Sequence, residues 1–328
     1  MAEPVLAALV LAGRTVAEYV GGRDLDPGLA PRPHLHPVRT LGGTAVTAVA
    51  PEDHPWHLGF SVAVPDVDSA NFWGGPTYLR GRGYTWCSDH GRIEHRAFSR
   101  RTGDGFDETL QWRGRTGEVL LTEERRVRAR LVERGWELAL VTTLTNTTAR
   151  PLRLAGPAAN GRDGAGYGGL FWRLPTAAAP RVRTATAAGE QAVHGAAAPW
   201  LAWSVAGHGA DDSSASGSSS GSSSGGSGGS GSGSSGGGSG SSSGGRGGSG
   251  GGAFTLVFAP ADAATRADPW FVRVGDYPGV GSQLAGHAPV VLAPGAALTR
   301  GLRTLIADGV LDDDAAERHG SAPAAADP

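Results

Sequence analysis

The sequence predicts an all-β protein built as a large antiparallel β-sandwich. Short runs of alternating apolar and polar residues recur along the chain between Gly, Pro and Asn residues, and no segment shows a convincing apolar period of 3.6 residues. The composition agrees, because 54 Gly and 21 Pro in 328 residues favour many turns over long helices. Antiparallel sheets bury one face and leave the other to water or ligand, which is the architecture of a sandwich.

The first predicted strand covers the apolar residues 5–12, and Thr15–Val20 forms the second. A signal peptide is the competing interpretation of this segment, but its leading charge is the acidic Glu3 where a signal peptide carries positive charge. Further strands are predicted at Thr44–Val49, Gly59–Val64, Arg92–Phe98, Val119–Arg128, Trp136–Thr145, Phe171–Leu174, Leu201–Val205, Phe254–Ala259, Trp270–Val274 and Leu298–Ile306. The clearest unit is a long hairpin over residues 119–145, in which alternation places Trp136, Leu138 and Leu140 on one face.

One domain is predicted over residues 1–311. Residues 213–252 comprise 19 Gly, 19 Ser, one Ala and one Arg, a composition typical of a disordered chain. Because this tract lies between two predicted strands, we interpret it as an expanded hairpin loop. Residues 312–328 are rich in Ala, Asp and Pro and are predicted to form a flexible tail.

Charge and cysteine content exclude several classes of function. The 29 basic residues are all Arg and face 31 acidic residues, so the net charge of −2 argues against a nucleic-acid partner. No apolar run approaches the ~18 residues of a membrane-spanning helix. The single Cys87 forms no internal disulfide and fits a reducing compartment, so we expect a cytoplasmic protein. The oligomeric state is left open.

Histidines dominate the candidate chemistry. In Asp53-His54-Pro55-Trp56-His57, the bend at Pro55 lets the imidazoles of His54 and His57 converge, although positions i and i+3 of a regular strand face opposite sides. Imidazole titrates near neutrality and binds transition metals, so the pair suits acid–base catalysis or metal binding. A loop held by histidine hydrogen bonds explains the pattern equally well. His95 shares the apolar face of its strand with Ile93 and is either a core residue or a third member of the site.

Aromatic and amide side chains beside glycines suggest a sugar site. Trp56, Asn71 and Trp73 are the predicted ring contacts, since an aromatic face stacks on pyranose C–H groups while an amide pairs with hydroxyls. Tyr167 and Arg173, within a glycine-rich segment, form a predicted second wall. The alternative is a buried Trp73 beside a turn-forming Asn71.

Two carboxylates on the predicted hairpin are candidate bases. Glu123 falls on a mostly apolar face, where burial raises the pKa of a carboxyl group, and Glu124 is its neighbour. Arg125 lies on the same face and offers the alternative, in which it neutralises Glu123.

Several of these segments together resemble a bacterial family labelled methane oxygenase PmoA. The resemblance covers most of residues 15–311 and rests on His36-Pro37-Val38, Asp53-His54-Pro55-Trp56-His57, Asn71-Phe72-Trp73-Gly74, Gly91-Arg92-Ile93-Glu94-His95, Tyr167-Gly168-Gly169-Leu170 and Trp270-Phe271-Val272-Arg273. The label implies a metal-dependent oxygenase with iron or copper on His54, His57 and His95, and Glu123 or Glu124 completing the site. The hairpin ending at Thr148 is also similar to aldose-epimerase β-sandwiches, which implies a galactose mutarotase-like supersandwich and sugar chemistry by His and Glu.

The leading hypothesis is a cofactor-independent enzyme that performs isomerase-, epimerase- or lyase-type acid–base chemistry on a sugar or an oxidised sugar. Its predicted catalytic residues are His54, His57, His95, Glu123 and Glu124. A metal-dependent oxygenase and a non-catalytic sugar-binding module are the alternatives. The leading hypothesis predicts that His54 or His57, His95 and Trp73 line one cavity, whereas the binding module would keep the aromatic and amide contacts and tolerate loss of the histidines.

Overall fold

The computed structural model describes residues 3–177, 179–207 and 252–322, and its antiparallel sheets confirm the predicted all-β sandwich. The strands of the first half are β1 (Val5–Leu11), β2 (Arg14–Val20), β3 (His34–Val38), β4 (Phe60–Ala63), β5 (Asp66–Val67), β6 (Thr77–Leu79), β7 (Gly83–Thr85), β8 (Arg92–Thr102), β9 (Gly105–Arg113), β10 (Val119–Val132), β11 (Gly135–Asn146) and β12 (Leu152–Ala155). Those of the second half are β13 (Gly169–Arg173), β14 (Arg181–Arg183), β15 (Leu201–Val205), β16 (Phe254–Pro260), β17 (Trp270–Arg273), β18 (Gly279–Ser282), β19 (Val290–Leu292) and β20 (Ala297–Asp308). The helices are α1 (Glu190–Val193), α2 (Ala263–Arg266) and α3 (Asp313–Ser321), with a 3-10 turn at Pro27–Leu29.

Two large sheets form the sandwich. The seven-stranded sheet has the order β1-β2-β3-β4-β13-β18-β17, and the eight-stranded sheet has the order β14-β15-β16-β20-β11-β10-β9-β8. Strands β19, β12 and β5 form a small third sheet, and β6 and β7 form a separate hairpin. The long hairpin predicted from the sequence is confirmed, with β10 and β11 paired from Leu121 opposite Asn146 to Val132 opposite Gly135.

The main core lies between the two sheets. Tyr19 of the seven-stranded sheet packs on Phe106 of the other at a ring-centroid distance of 4.6 Å, and Trp172 packs on Phe258 at 5.5 Å. Each buried aromatic side chain of this kind stabilises the fold by roughly 1.5–3 kcal/mol. The two sheets therefore share one apolar layer.

The outer face of the seven-stranded sheet is the part of the fold that positions the candidate site. In β13, Trp172 points into the core. Because successive side chains of a strand point to opposite faces, Phe171 and Arg173 point outward. In β17 the same alternation turns Phe271 and Arg273 outward. Aromatic and cationic side chains thus lie together on a sheet face that loops cover.

The structure differs from the sequence prediction in two strands and in the C-terminal segment. Thr44–Val49 is not a strand, since only isolated bridges at Ala45 and Val49 form there. Strand β9 was not predicted. The predicted flexible tail was wrong for residues 313–321, because α3 packs Ala315 and Ala316 against Trp200 on the outer face of the eight-stranded sheet. Residues 323–328 lie outside the described residues.

The predicted loop at residues 213–252 lies, except for Gly252, outside the described residues. The strands on either side of it pair with each other, from Leu201 opposite Phe258 to Val205 opposite Phe254. The tract therefore connects two neighbouring antiparallel strands. Within the described ranges, no helix has the length and apolar character needed to cross a membrane.

Candidate functional site

A cavity of about 520 Å³ opens on the outer face of the seven-stranded sheet. This volume falls in the range of roughly 300–1,000 Å³ typical of small-molecule sites. Its lining combines imidazoles, aromatic rings and a few charged groups, contributed by His54, Trp56, His57, Trp73, Gly74, Pro76, Tyr84, Arg162, Tyr167, Phe271, Arg273, Asp276 and Tyr277. These residues come from the loop before β4, the loop before β6, strand β7, the segment before β13, strand β17 and the turn that follows β17.

The loop before β4 brings the two histidines together. The backbone N–H of His54 donates to the carbonyl of Pro51 at 3.1 Å, and that of His57 donates to the carbonyl of His54 at 2.9 Å, so the chain makes two successive turns around Pro55. The amide of Ala50 closes the loop by donating to the carbonyl of His57 at 2.9 Å. As a result the imidazoles stack with centroids 4.7 Å apart and planes 15° apart.

Asp53 and Arg173 assign different roles to the two imidazoles. The Asp53 carboxylate only accepts, so His54 donates through Nδ1 at 2.8 Å and keeps a lone pair on Nε2. The Arg173 guanidinium only donates, so His57 accepts through Nδ1 at 3.3 Å and carries its proton on Nε2. Arg173 also pairs with Asp53 at 3.3 Å. One imidazole is therefore arranged as a proton acceptor and the other as a hydrogen-bond donor.

Burial keeps His57 neutral. Desolvation, reinforced by His54 and Arg173, holds the pKa of His57 well below its ordinary value. Partial burial alone would raise the pKa of Asp53, but the hydrogen bond from His54 and the charge of Arg173 outweigh it and lower that pKa. Asp53 is consequently a carboxylate at neutral pH, as its role in orienting His54 requires.

Aromatic rings surround His57 on its remaining sides. Tyr277, Phe171 and Trp73 have ring centroids 4.7, 4.9 and 5.6 Å from the imidazole of His57. Tyr167 extends this wall, with its ring 4.6 Å from that of Trp73. The wall around His57 is thus aromatic apart from the neighbouring imidazole of His54.

A buried cation fixes the two loops that carry the aromatic wall. Arg32 is fully buried and donates to the backbone carbonyls of Trp73 at 3.1 Å and Trp56 at 2.9 Å, and to the Ser61 hydroxyl at 3.1 Å. Burial, together with the charge of Arg125, lowers the pKa of Arg32 to about 9, so it remains a cation at neutral pH. Arg32 therefore acts as a positioning residue for Trp56 and Trp73.

Asn71 and the glycines after Trp73 shape this loop through contacts within the protein. Both oxygen acceptor sites of Asn71 are used by the amides of Trp73 and Gly74 at 2.9 Å, and its amide donates to Thr77 at 2.9 Å. A Cβ atom on Gly75 would lie 2.5 Å from the indole of Trp56. The predicted contact of Asn71 with a sugar is thus replaced by a turn-forming role, and the glycine pair accommodates Trp56.

Charged groups lie at the rim. Arg162 donates to the Tyr84 hydroxyl at 2.6 Å and stacks over that ring at 4.7 Å, and it has no carboxylate partner among the described residues. Tyr84 in turn shares a hydrogen bond of 3.0 Å with the hydroxyl of the partly buried Tyr167. Arg273 lies over Phe271 at 4.9 Å, and Asp276 supplies the one acidic side chain of the lining. Arg273 also pairs with Glu190 at 3.9 Å, so Arg162 is the rim cation that has no carboxylate partner among the described residues.

Comparison with protein-family models assigns this fold and site to a family. The model of a family of unknown function, DUF6807, matches residues 7–320. The chain belongs to this family. A comparison with curated proteins gave no match. The resemblance to the methane oxygenase PmoA label and to aldose epimerases was therefore wrong, because the family that matches nearly the whole chain is a different one.

In this DUF6807 chain, five residues of the predicted site meet at the cavity. His54, Trp56, His57, Trp73 and Tyr167 line it, and Arg173 supports it from behind through His57 and Asp53.

His95, Glu123 and Glu124 do not belong to the cavity. His95 lies on β8 and hydrogen-bonds Glu108 at 2.6 Å, on the side of the eight-stranded sheet that faces the core. Glu123 is fully buried in an ion pair of 2.7 Å with Arg125, and Glu124, on the opposite face of β10, is exposed. The structure therefore does not support the catalytic roles predicted for these three residues. Alternation along a strand shows which residues share a face, but it does not show whether that face packs in the core or lines the cavity.

This distribution also does not fit the predicted metal site. The rings of His54 and His57 stack on each other with their Nδ1 atoms already engaged, and His95 belongs to the other sheet. In the part of the chain that the structure describes, no group of three or more His, Cys, Asp or Glu side chains is arranged to hold a metal ion.

Sequence reasoning missed the residues that complete the cavity: Tyr84, Arg162, Phe271, Arg273, Asp276 and Tyr277. Phe271 and Arg273 lie within a predicted strand, and their alternation with Trp270 and Val272 was the available signal. Tyr277 lies in the turn after β17, more than 200 positions from His57, and nothing in its local sequence indicates that contact.

Proposed function

We propose that this protein binds a sugar or an oxidised sugar in the cavity and performs acid–base chemistry on it with His54. The observation that carries the proposal is the stacked pair of imidazoles with opposite proton positions, set in an aromatic cavity of about 520 Å³.

The wall chemistry supports a sugar-sized polyol. Indole and phenol rings stack on the C–H faces of a pyranose, while a small number of polar groups fix its hydroxyls. Trp56, Trp73 and Tyr277 provide the rings here. Arg162 lines the cavity without a carboxylate partner among the described residues, so it can pair with the carboxylate of an oxidised sugar.

The histidine pair supports proton transfer. Nε2 of His54 accepts no hydrogen bond from the described residues, and the Asp53 carboxylate stabilises the imidazolium that forms when His54 takes a proton. His57 stays neutral and offers its Nε2–H to an oxygen that gains negative charge. A base and a donor of this kind are the two groups needed to remove a proton next to a carbonyl group.

Solvent exchange tests this proposal. Glucose, galactose, glucuronate and galacturonate are incubated with the protein in D₂O, and deuterium incorporation at carbon is followed by NMR while calorimetry measures binding. We expect binding of at least one of these sugars with exchange, and His54→Gln slows the exchange by about 10²- to 10⁴-fold while changing affinity far less. His287→Gln, at an exposed histidine that does not line the cavity, serves as the control.

Two other results separate the alternatives. Binding without exchange, unaffected by His54→Gln, would identify a non-catalytic binding module. The absence of binding to any sugar or sugar acid would remove the proposal altogether.

A further inference from the structure

The most exposed aromatic side chain of the molecule lies directly beside the cavity. All nine Trp residues fall within the described ranges, and only Trp86 is exposed, with 62% of its surface open to solvent. A single exposed apolar side chain is ordinary, but an exposed apolar surface that is continuous with a ligand-sized cleft marks a binding surface.

Trp86 continues the cavity wall outward. Its ring meets the indole of Trp56 edge to face, with centroids 6.0 Å apart and planes at 84°, and Trp56 lines the cavity. On its other side the ring approaches His90 at 6.1 Å and packs near Gly28. These contacts hold one edge of the indole in place and leave much of the ring accessible.

The hairpin formed by β6 and β7 holds this position. Trp86 follows Thr85, the last residue of β7, and Tyr84 of this strand lies two residues earlier in the chain. Tyr84 already belongs to the cavity lining and is 40% exposed. The cavity and the Trp86 ring are therefore parts of one continuous surface.

We infer that Trp86 forms an outer subsite that stacks on the second ring of a glycoside whose first ring occupies the cavity. This inference rests on the proposed function, since it names a longer carbohydrate as the ligand of the same site. A sugar ring fits the indole because its C–H face is apolar and its hydroxyls remain in solvent at this exposed position.

Affinity measurements on ligands of two lengths test the inference. Glucose, galactose and galacturonate are compared with cellobiose, lactose and digalacturonate by calorimetry. We expect Trp86→Ala to weaken binding of the disaccharide about tenfold and to leave the matching monosaccharide within about twofold, since stacking on an aromatic ring contributes on that scale. Trp86→Phe retains most of the disaccharide affinity. Leu131→Ala, at an exposed apolar residue of the β10–β11 hairpin, serves as the control and changes neither.

A second measurement uses the native chain. Because Trp86 is the only exposed indole, iodide quenches its fluorescence in preference to that of the buried residues, and we expect a disaccharide but not a monosaccharide to protect it.

The outcomes separate this inference from the proposed function. If monosaccharides bind and Trp86→Ala weakens both ligand lengths equally, or neither, the outer subsite is refuted while the proposed function stands. If Trp86→Ala instead converts an oligomer to monomers in light scattering with ligand affinities unchanged, the exposed indole is a contact between copies of the chain. If no sugar of either length binds, both proposals fail.

Discussion

Replacing Glu123 tests whether this carboxylate is structural. Oε1 accepts from Arg125 Nε at 2.7 Å and from the Thr142 hydroxyl at 2.8 Å, while Oε2 accepts from Trp112 Nε1 at 2.7 Å and from Arg125 Nη2 at 3.0 Å. Both side chains of the ion pair are fully buried. In Glu123→Gln the new amide group faces an N–H donor whichever way it is turned, and Arg125 loses its bidentate partner.

The expected loss is large. Removing one partner of a buried ion pair costs about 3–5 kcal/mol, and Arg125 would keep only the more distant Glu108 carboxylate, 3.9 Å away, as a charged partner. We therefore expect the free energy of unfolding of Glu123→Gln to fall by that amount in urea titrations followed by tryptophan fluorescence. Glu123→Leu combined with Arg125→Met removes both charges, and its free energy of unfolding is expected to stay within about 2 kcal/mol of the parent value.

Glu94 provides the matched control. It pairs with Arg113 at 2.8 Å on a partly exposed strand, where an ion pair contributes roughly 0–1 kcal/mol. If Glu123→Gln costs no more than Glu94→Gln, the buried network does not stabilise the sandwich as argued. If Glu123→Gln keeps full stability but abolishes the proton exchange assigned to His54, Glu123 has a functional role that its position in the core does not suggest.

Two further predictions concern pH and the Gly/Ser tract. Burial lowers the pKa of His34 to about 4, so between this value and the unfolded value of ~6.5 the unfolded chain binds a proton that the folded protein excludes. The free energy of unfolding therefore falls as the pH drops below ~6.5, and His34 contributes about 2 kcal/mol of this fall at pH 5. His34→Gln should flatten this pH dependence, measured by urea titration. A dependence of opposite sign would contradict the assignment. Deleting residues 213–252 and joining β15 to β16 by a short turn should change the free energy of unfolding by only about 1 kcal/mol, because these strands already pair next to the tract. Loss of cooperative unfolding would show instead that the tract stabilises the fold.

Sequence patterns predicted the sandwich because strand alternation is a local property. The burial of alternate residues in β11 follows from side chains that point to opposite faces, and it appears in the sequence as Trp136, Leu138 and Leu140. The Pro55 bend is equally local, so the convergence of His54 and His57 could be predicted. Helix α3 was missed because its stability depends on contacts with Trp200, which lies far away in the sequence.

The layer that a strand face meets is not a local property. The alternation of side chains along a strand predicted that His95 and Glu123 lie on the apolar faces of their strands. Those faces point toward the opposite sheet and not toward the cavity. The cavity lies on the far side of the seven-stranded sheet, where Phe171 and Arg173 point outward. Only the order of strands in the two sheets distinguishes these locations, and that order depends on pairings between distant segments.

The hydrogen-bonding capacity that remains on each polar side chain separates the structural residues from the candidate functional ones. Both oxygens of Glu123 and both acceptor sites of Asn71 are filled by groups of the protein, so neither residue has a site left for a ligand. His54 differs, since Asp53 occupies Nδ1 while Nε2 has no partner among the described residues. The side chain of His54 is 29% exposed, so this Nε2 is accessible and can accept a hydrogen bond from a ligand. This unused capacity, more than the residue types themselves, is why the candidate chemistry is assigned to His54 and its neighbours.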